Sequence, residues 1–187
     1  VARMALSASR HEVVVVSPSP GVRPLQAARV VPIPAAQVAQ LTASAHEPRL
    51  TRALQHLWNN VGVERVLEEV LATWRPDVVY ERYSPFGIAG ACVATSKGLP
   101  HILEVNSPLA WEGRVYRQQS LQEAGDFLEK QALAATDLIV AVSHELREEL
   151  LRLGADPAKI TVMANGVDEA LFSPLGPAQG CGLDERC

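Results

Sequence analysis

The sequence predicts an α/β domain: a parallel sheet with helices on both faces. Three observations carry that reading. Apolar runs of strand length recur at Val13–Val16, Asp77–Glu81, His101–Asn106 and Leu138–Val142, separated by stretches with helical spacing. Leu138-Ile139-Val140-Ala141-Val142 is apolar throughout, so both of its faces are expected to be covered, as in a parallel strand and unlike a half-wet antiparallel one. Strand, helix, strand repeats along the chain, which calls for parallel pairing joined by right-handed crossovers.

At 187 residues the chain suits one domain with its own core. Residues 1–174 are read as that domain, and 175–187, rich in Gly, Pro, Gln and Cys, as the start of a linker or tail. The net charge is −4 and the positive charges are scattered, which argues against a nucleic-acid footprint. No apolar run approaches the ~20 residues of a membrane helix, so no transmembrane segment is expected. The N-terminus lacks a charged-then-apolar signal layout, and the expected compartment is the cytoplasm. Cys92, Cys181 and Cys187 make neither a disulfide framework nor a metal cluster, and Cys92 is expected to be an ordinary buried thiol.

In chain order, Val1–Ser9 reads as the last turns of a helix, so the domain is expected to begin in mid-unit, its first strand and Gly-rich turn missing. Val13–Val16 is a strand closed by Ser17-Pro18-Ser19-Pro20-Gly21, Arg29–Pro32 a second one, and Ile33–Pro48 a Pro-bearing surface connection. From Arg49 to Trp74, Leu50, Leu54, Leu57, Val61, Val66 and Val70 keep a helical period that is interrupted near Asn59-Asn60 and Gly62, giving one kinked helix or two joined ones. Phe86–Lys97 is a small-residue helix in which Gly87 and Gly90 permit close approach to the sheet and Gly98 makes the stop. A long helix begins near Val115 and runs through Leu121, Phe127, Leu128 and Leu133 to Ala135.

The stretch Thr136–Pro174 is the most fully punctuated. Ser143 can cap a helix, Leu146, Leu150 and Leu153 share one face, Glu148 and Arg152 are spaced to pair, and Gly154 supplies a left-handed stop. Lys159–Met163 is a last short strand before the turn Asn165-Gly166-Val167-Asp168.

Open parallel sheets bind ligands beyond the carboxyl ends of their strands. That rule selects three polar tips: Arg82-Tyr83-Ser84, Glu104 to Ser107, and Ser143-His144-Glu145. Any one of them reads as well as a solvated loop; three at one edge argue for a site. Ser143 either caps its helix or offers the helix N-terminus to an anion, which Glu145 opposes. His144 is either a solvated first-turn residue or an acid–base group. Arg114 and Arg117 either present two forks to a phosphate or carboxylate at the crevice mouth or form a surface pair. Neither a dinucleotide fingerprint nor a P-loop is present.

Ala135 to Ser143, then Leu146-Arg147, Leu150 to Gly154, Lys159-Ile160-Thr161-Val162 and Asn165-Gly166-Val167-Asp168 with Phe172 and Pro174, resemble glycosyltransferase family 4. The similarity extends upstream through Pro76–Tyr83 and Leu103–Leu109 and covers most of Val13 to Pro174. Members are retaining enzymes of the GT-B fold, built from two Rossmann-like domains. The resemblance implies transfer of a sugar from a nucleotide-sugar donor, a co-substrate, to an acceptor hydroxyl, with no essential metal or resident cofactor. This chain would be the N-terminal, acceptor-side half, apparently truncated at both ends. A C-terminal donor domain, acting in cis and bearing a basic pair and paired glutamates, would grip the nucleotide, so the 187 residues alone are expected to be inactive.

In many members a His ends the strand that finishes here with Asn106, and it contacts the transferred sugar. Asn106 can hydrogen-bond but is neither acid nor base, so its role would be positional or oxyanion-like. The candidate catalytic position is therefore Asn106, with Arg82, Ser84, Glu104, Ser107, Arg114, Arg117 and Ser143 as substrate-binding candidates. The implied partners are an acceptor sugar, polyol or lipid-linked saccharide, compatible with a full-length protein peripheral to a membrane. The competing reading is a stand-alone α/β binding domain, such as one subunit of a split transferase. A periplasmic-type sugar binder would need a secretion signal that Val1 onward does not show.

Overall fold

The computed structural model describes residues 11–17, 29–33 and 47–166. They form β1 (Val14–Ser17), β2 (Arg29–Pro32), α1 (Pro48–Leu71), β3 (Val79–Arg82), α2 (Ala89–Lys97), β4 (His101–Val105), α3 (Leu109–Val115), α4 (Gln122–Ala135), β5 (Leu138–Ala141), α5 (His144–Arg152), a 3-10 turn (Pro157–Lys159) and β6 (Ile160–Val162). Among these residues every strand pairing is parallel: β1 with β2, and β3-β4-β5-β6 as a sheet in chain order. The domain is the Rossmann-like α/β sheet that the alternating pattern predicts. The expected helix end at Val1–Ser9, the interior of the Ile33–Pro48 connection, and everything from Val167 on, Cys181 and Cys187 included, lie outside the described residues.

Ile139 and Val140 point to opposite faces and are 0% and 5% exposed, so β5 is covered on both sides, as its unbroken apolar run requires. On one face, Leu103, Val105, Ile139 and Ala141 pack against Ala132 and Leu133 of α4 and Leu146 and Leu150 of α5. Strand alternation puts Tyr80, Arg82, Glu104 and Val140 on the other. No described helix is long and apolar enough to cross a membrane.

The caps read from sequence form as expected. Ser143 Oγ accepts from Leu146 N–H at 3.2 Å, and Gly98 (φ 62°) and Gly154 (φ 94°) adopt the left-handed turn that glycine alone takes without strain. At the far end of α4, Lys159 Nζ donates to the carbonyls of Ala134 (3.1 Å) and Thr136 (2.8 Å), which satisfies acceptors the helix leaves free.

Five expectations change. The polar break read in α1 leaves a single helix of 24 residues, because Asn60 turns its amide inward to serve the next element. Its Oδ1 accepts from Ile88 N–H (2.9 Å) and Ala89 N–H (3.1 Å), and its Nδ2 donates to Phe86 O (2.9 Å). That contact also corrects the start of α2, which begins at Ala89 rather than Phe86: Phe86 is buried with φ 61°, outside helical space. The long helix expected from near Val115 to Ala135 begins only at Gln122, as α4; Val115 instead ends a separate short helix, α3, and between them Gln118 and Leu121 take φ of 46° and 60°. Such conformations in non-glycine residues have no local sequence signature. Cys92, expected to be buried, is exposed on α2 between buried Ala91 and Val93. The predicted Glu148–Arg152 pair is also replaced: Arg152 bonds Glu149, and Glu148 meets Arg147 at 2.7 Å, both on the exposed side of α5 where such alternatives differ little in energy.

Candidate functional site

Parallel pairing sets the carboxyl ends of β3, β4 and β5 side by side. The middle tip is the most organised. Asn106 Nδ2 donates to Glu104 Oε1 at 2.8 Å, and Tyr80 of β3 donates its hydroxyl to Glu104 Oε2 at 2.8 Å. Both carboxylate oxygens are thereby held, and Glu104 is only 4% exposed; its two partners supply the hydrogen bonds that burial takes away from water. From beyond β6, Asn165 Nδ2 reaches Asn106 Oδ1 at 3.4 Å. The amide of Asn106 is thus oriented from two sides and retains a second N–H to donate. Burial, then the hydrogen bond and charge of Glu104, push the Tyr80 phenol well above its ordinary range, so it acts as a donor at neutral pH.

The other sequence candidates divide. Arg82 is the register partner of Glu104 and is exposed, and its guanidinium has no ion pair among the described residues. Ser107 follows Asn106, half-buried, while Ser84 is exposed and its carbonyl takes Gly87 N–H at 2.9 Å. Ser143 is occupied as the cap of α5. His144 and Glu145 are exposed, and the Glu145 carboxyl is held below its ordinary value by its own backbone N–H and by Ser143. Arg114 and Arg117 have separate partners within the chain. Arg114 bonds Asp126 at 3.1 Å, tying α3 to α4, and Arg117 faces Glu112 at 3.6 Å. The break after α3 separates side chains that one continuous helix would have aligned.

Tyr83, counted with the polar tips, turns inward instead and hydrogen-bonds Glu129 of α4. Burial raises the Glu129 carboxyl above its ordinary 4.5, against hydrogen bonds from Ala110 N–H and Tyr83 and with Asp126 adding to the rise. Between the unfolded and the raised folded value, the folded protein therefore binds more protons at Glu129 than the unfolded chain does. Stability is expected to be fullest below the unfolded value and to fall as pH rises from there through the raised folded value. Thermal melts across that range should show the slope in the wild type and its loss in Glu129→Gln. An identical slope in the variant would assign it to other groups.

Deeper still lies a contact that sequence reading passed over. Thr136 Oγ1 donates to Ala132 O at 2.8 Å, so it accepts from His101 Nδ1 at 3.0 Å, and His101 Nε2 faces Glu81 Oε2 at 3.1 Å. A Cβ on Gly90 would collide with that same Glu81 oxygen. The expected close approach at Gly90 thus accommodates a carboxylate rather than strand backbone. The available signal was a charged and a titratable residue inside otherwise apolar strands.

The model of Glycosyltransferase Family 4 matches residues 3–171, nearly the whole chain. The chain belongs to that family. Among its relatives, the alpha-maltose-1-phosphate synthase of Mycolicibacterium smegmatis is 31% identical over 98 residues, covering 49% of this chain and 24% of that protein. The UDP-Gal:alpha-D-GlcNAc-diphosphoundecaprenol alpha-1,3-galactosyltransferase of Escherichia coli is 29% identical over 109 residues, covering 58% and 28%. The family 4 chain therefore aligns with about a quarter of the length of these curated relatives. Among solved structures, the UDP-N-acetylglucosamine 2-epimerase of Rickettsia bellii superposes with a TM-score of 0.48 at 14% identity, over 82% of this chain and 44% of its own.

Proposed function

We propose that residues 1–174 are the acceptor-binding half of a cytoplasmic, retaining GT-B glycosyltransferase. In the reaction a hydroxyl oxygen of the acceptor bonds to the anomeric carbon of a nucleotide-sugar as the bond to the nucleoside diphosphate breaks, with configuration preserved. One observation supports this reading above the rest: a buried carboxylate with both oxygens engaged aligns the Asn106 amide at the carboxyl edge of the sheet, where parallel α/β domains hold ligands. The spare N–H of Asn106 would meet a sugar oxygen, with Arg82 and Ser107 beside it. An amide neither gives up nor takes a proton at neutral pH, so Asn106 would orient the sugar and favour developing negative charge. The two relatives' names describe a synthase of a maltose phosphate and a galactosyltransferase acting from UDP-Gal on a diphosphoundecaprenol-linked sugar. The acceptor proposed here is accordingly a sugar, free or lipid-linked. The donor diphosphate would be held by a second domain of the full-length protein, with residues 175–187 leading toward it.

Titration of the 187-residue chain with glucose, maltose and N-acetylglucosamine tests the placement. Asn106→Ala is expected to weaken binding of the preferred sugar by about tenfold or more, the equivalent of one hydrogen bond to an oriented polar group. Undiminished affinity would move the site off β4. The chain by itself should release no nucleoside diphosphate from any nucleotide-sugar in the presence of acceptor; turnover would show that it holds more than the acceptor half.

A further inference from the structure

Outside the β4 tip, a groove opens between the first turns of α1 and the loop that joins α3 to α4. We propose that this groove binds the phosphate group of a phosphorylated acceptor, an assignment that rests on the acceptor-side reading above. Arg49, Arg52 and His56 line it from α1, Pro85 from the segment just past Ser84, and Arg117 and Gln119 from the loop, around about 400 Å³ that is partly open to solvent. Three guanidinium groups thus converge on one space. Arg49 and Arg52 have no ion pair among the described residues, whereas Arg117 is ion-paired with Glu112 at 3.6 Å. The other carboxylate nearby, Glu47, is turned to Ser120 Oγ at 3.4 Å.

Two further observations point the same way. The His56 imidazole is pushed below its ordinary value by burial and then by the positive charges of Arg52 and Arg117, so it lies within their field as a neutral group. Two of the three non-glycine residues with positive φ among the described residues, Phe86 and Gln118, adjoin this groove. Phe86 adjoins Pro85 and stacks on His56 with ring centroids 6.5 Å apart, and Gln118 sits between Arg117 and Gln119. Strained backbone of this kind persists only where its surroundings over-determine it, and it gathers at binding sites. Gly113 contributes by lacking a Cβ, which would collide with the Gln119 side chain, and its carbonyl accepts from Gln119 N–H at 2.8 Å. Three forks and a ring nitrogen suit the several oxygens of a tetrahedral phosphate, whereas a planar carboxylate is satisfied by one fork.

The test uses the whole 187-residue chain with inorganic phosphate, glucose, glucose 1-phosphate, glucose 6-phosphate and UDP as probes, followed by calorimetry and by the His56 ring resonances. At least one hexose phosphate should bind about tenfold or more tighter than glucose and should raise the His56 titration midpoint. Arg52→Ala and Arg117→Ala should each remove about tenfold of that affinity, whereas Arg65→Ala, on the same α1 helix and paired with Glu69, should leave it unchanged. Equal affinity for glucose and both hexose phosphates, or equal losses in all three variants, would overturn the assignment. UDP binding tighter than either hexose phosphate, and lost with the arginines, would also overturn it by giving the groove to the donor. Glucose binding that depends on Asn106 but gains nothing from phosphate would sink the groove and leave the acceptor reading standing. Arginine-dependent hexose phosphate binding that ignores Asn106→Ala would do the reverse.

Discussion

Asn60→Ala is expected to lower the midpoint of thermal unfolding by roughly 5–15 °C. One side chain on α1 makes four hydrogen bonds: Oδ1 takes the N–H groups of Ile88 and Ala89, and Nδ2 gives to Leu57 O and Phe86 O. The two acceptor contacts supply a cap for α2 from another helix, since Ile88 at the cap position has no capping side chain of its own. Truncation to Ala strands those donors beside buried Phe86 and Ala89, and losses of a cap and of part-buried partners together amount to about 2–4 kcal/mol. A domain of this size loses about 2–4 °C per kcal/mol, which sets the range. Asn60→Asp keeps the acceptor oxygen but removes the donor to Phe86 O, and it should recover roughly half of the loss. A melt of Asn60→Ala within about a degree of wild type would mean that α2 finds its cap elsewhere. Phe86 stacks on His56, so the same variant is expected to disturb the arginine groove as well.

His101→Leu should cost about 3 kcal/mol in urea denaturation. His101 is almost fully buried, and its two nitrogens meet Thr136 and Glu81. Removing one partner of a buried ionisable pair is costly mainly because the other is left without compensation. The Glu81 side chain is 21% exposed, which tempers the figure by admitting some water. The decisive comparison is the double variant His101→Leu with Glu81→Leu. Apolar side chains then fill the space, no carboxylate is orphaned, and most of the lost stability should return. Simple addition of the two single losses would show that Glu81 and His101 act independently. Gly90→Ala offers a second view of the contact, because its new methyl group must displace the Glu81 carboxylate from His101.

The candidate site was partly legible. The rule that ligands sit at the carboxyl edge of a parallel sheet led to Glu104, Asn106 and Ser107, and the structure shows Glu104 and Asn106 bonded to each other there. Tyr83 was read as part of a polar tip although it turns inward to Glu129, because residue type at a strand end does not reveal which way the chain bends next. Arg114 and Arg117 read as two forks at the crevice mouth or a surface pair, and in the structure each has its own acidic partner, Asp126 and Glu112. Arg49, Arg52 and His56 drew no notice in sequence, since what gathers them with Arg117 is the packing of α1 against a loop far along the chain.

From sequence alone came the parallel α/β class, the order of strands and helices from Val79 to Val162 apart from α3, the caps at Ser143, Gly98 and Gly154, and the family resemblance. These depend on periodicity, on local turn chemistry and on residue order, all written within a few positions of one another. Tertiary structure decided that Asn60 caps α2, that Gly90 makes room for Glu81, that His101 and Glu129 are buried, and that three arginines share a groove. Each of those depends on partners distant in the chain and on the water their meeting excludes, and neither is expressed in any local stretch of sequence.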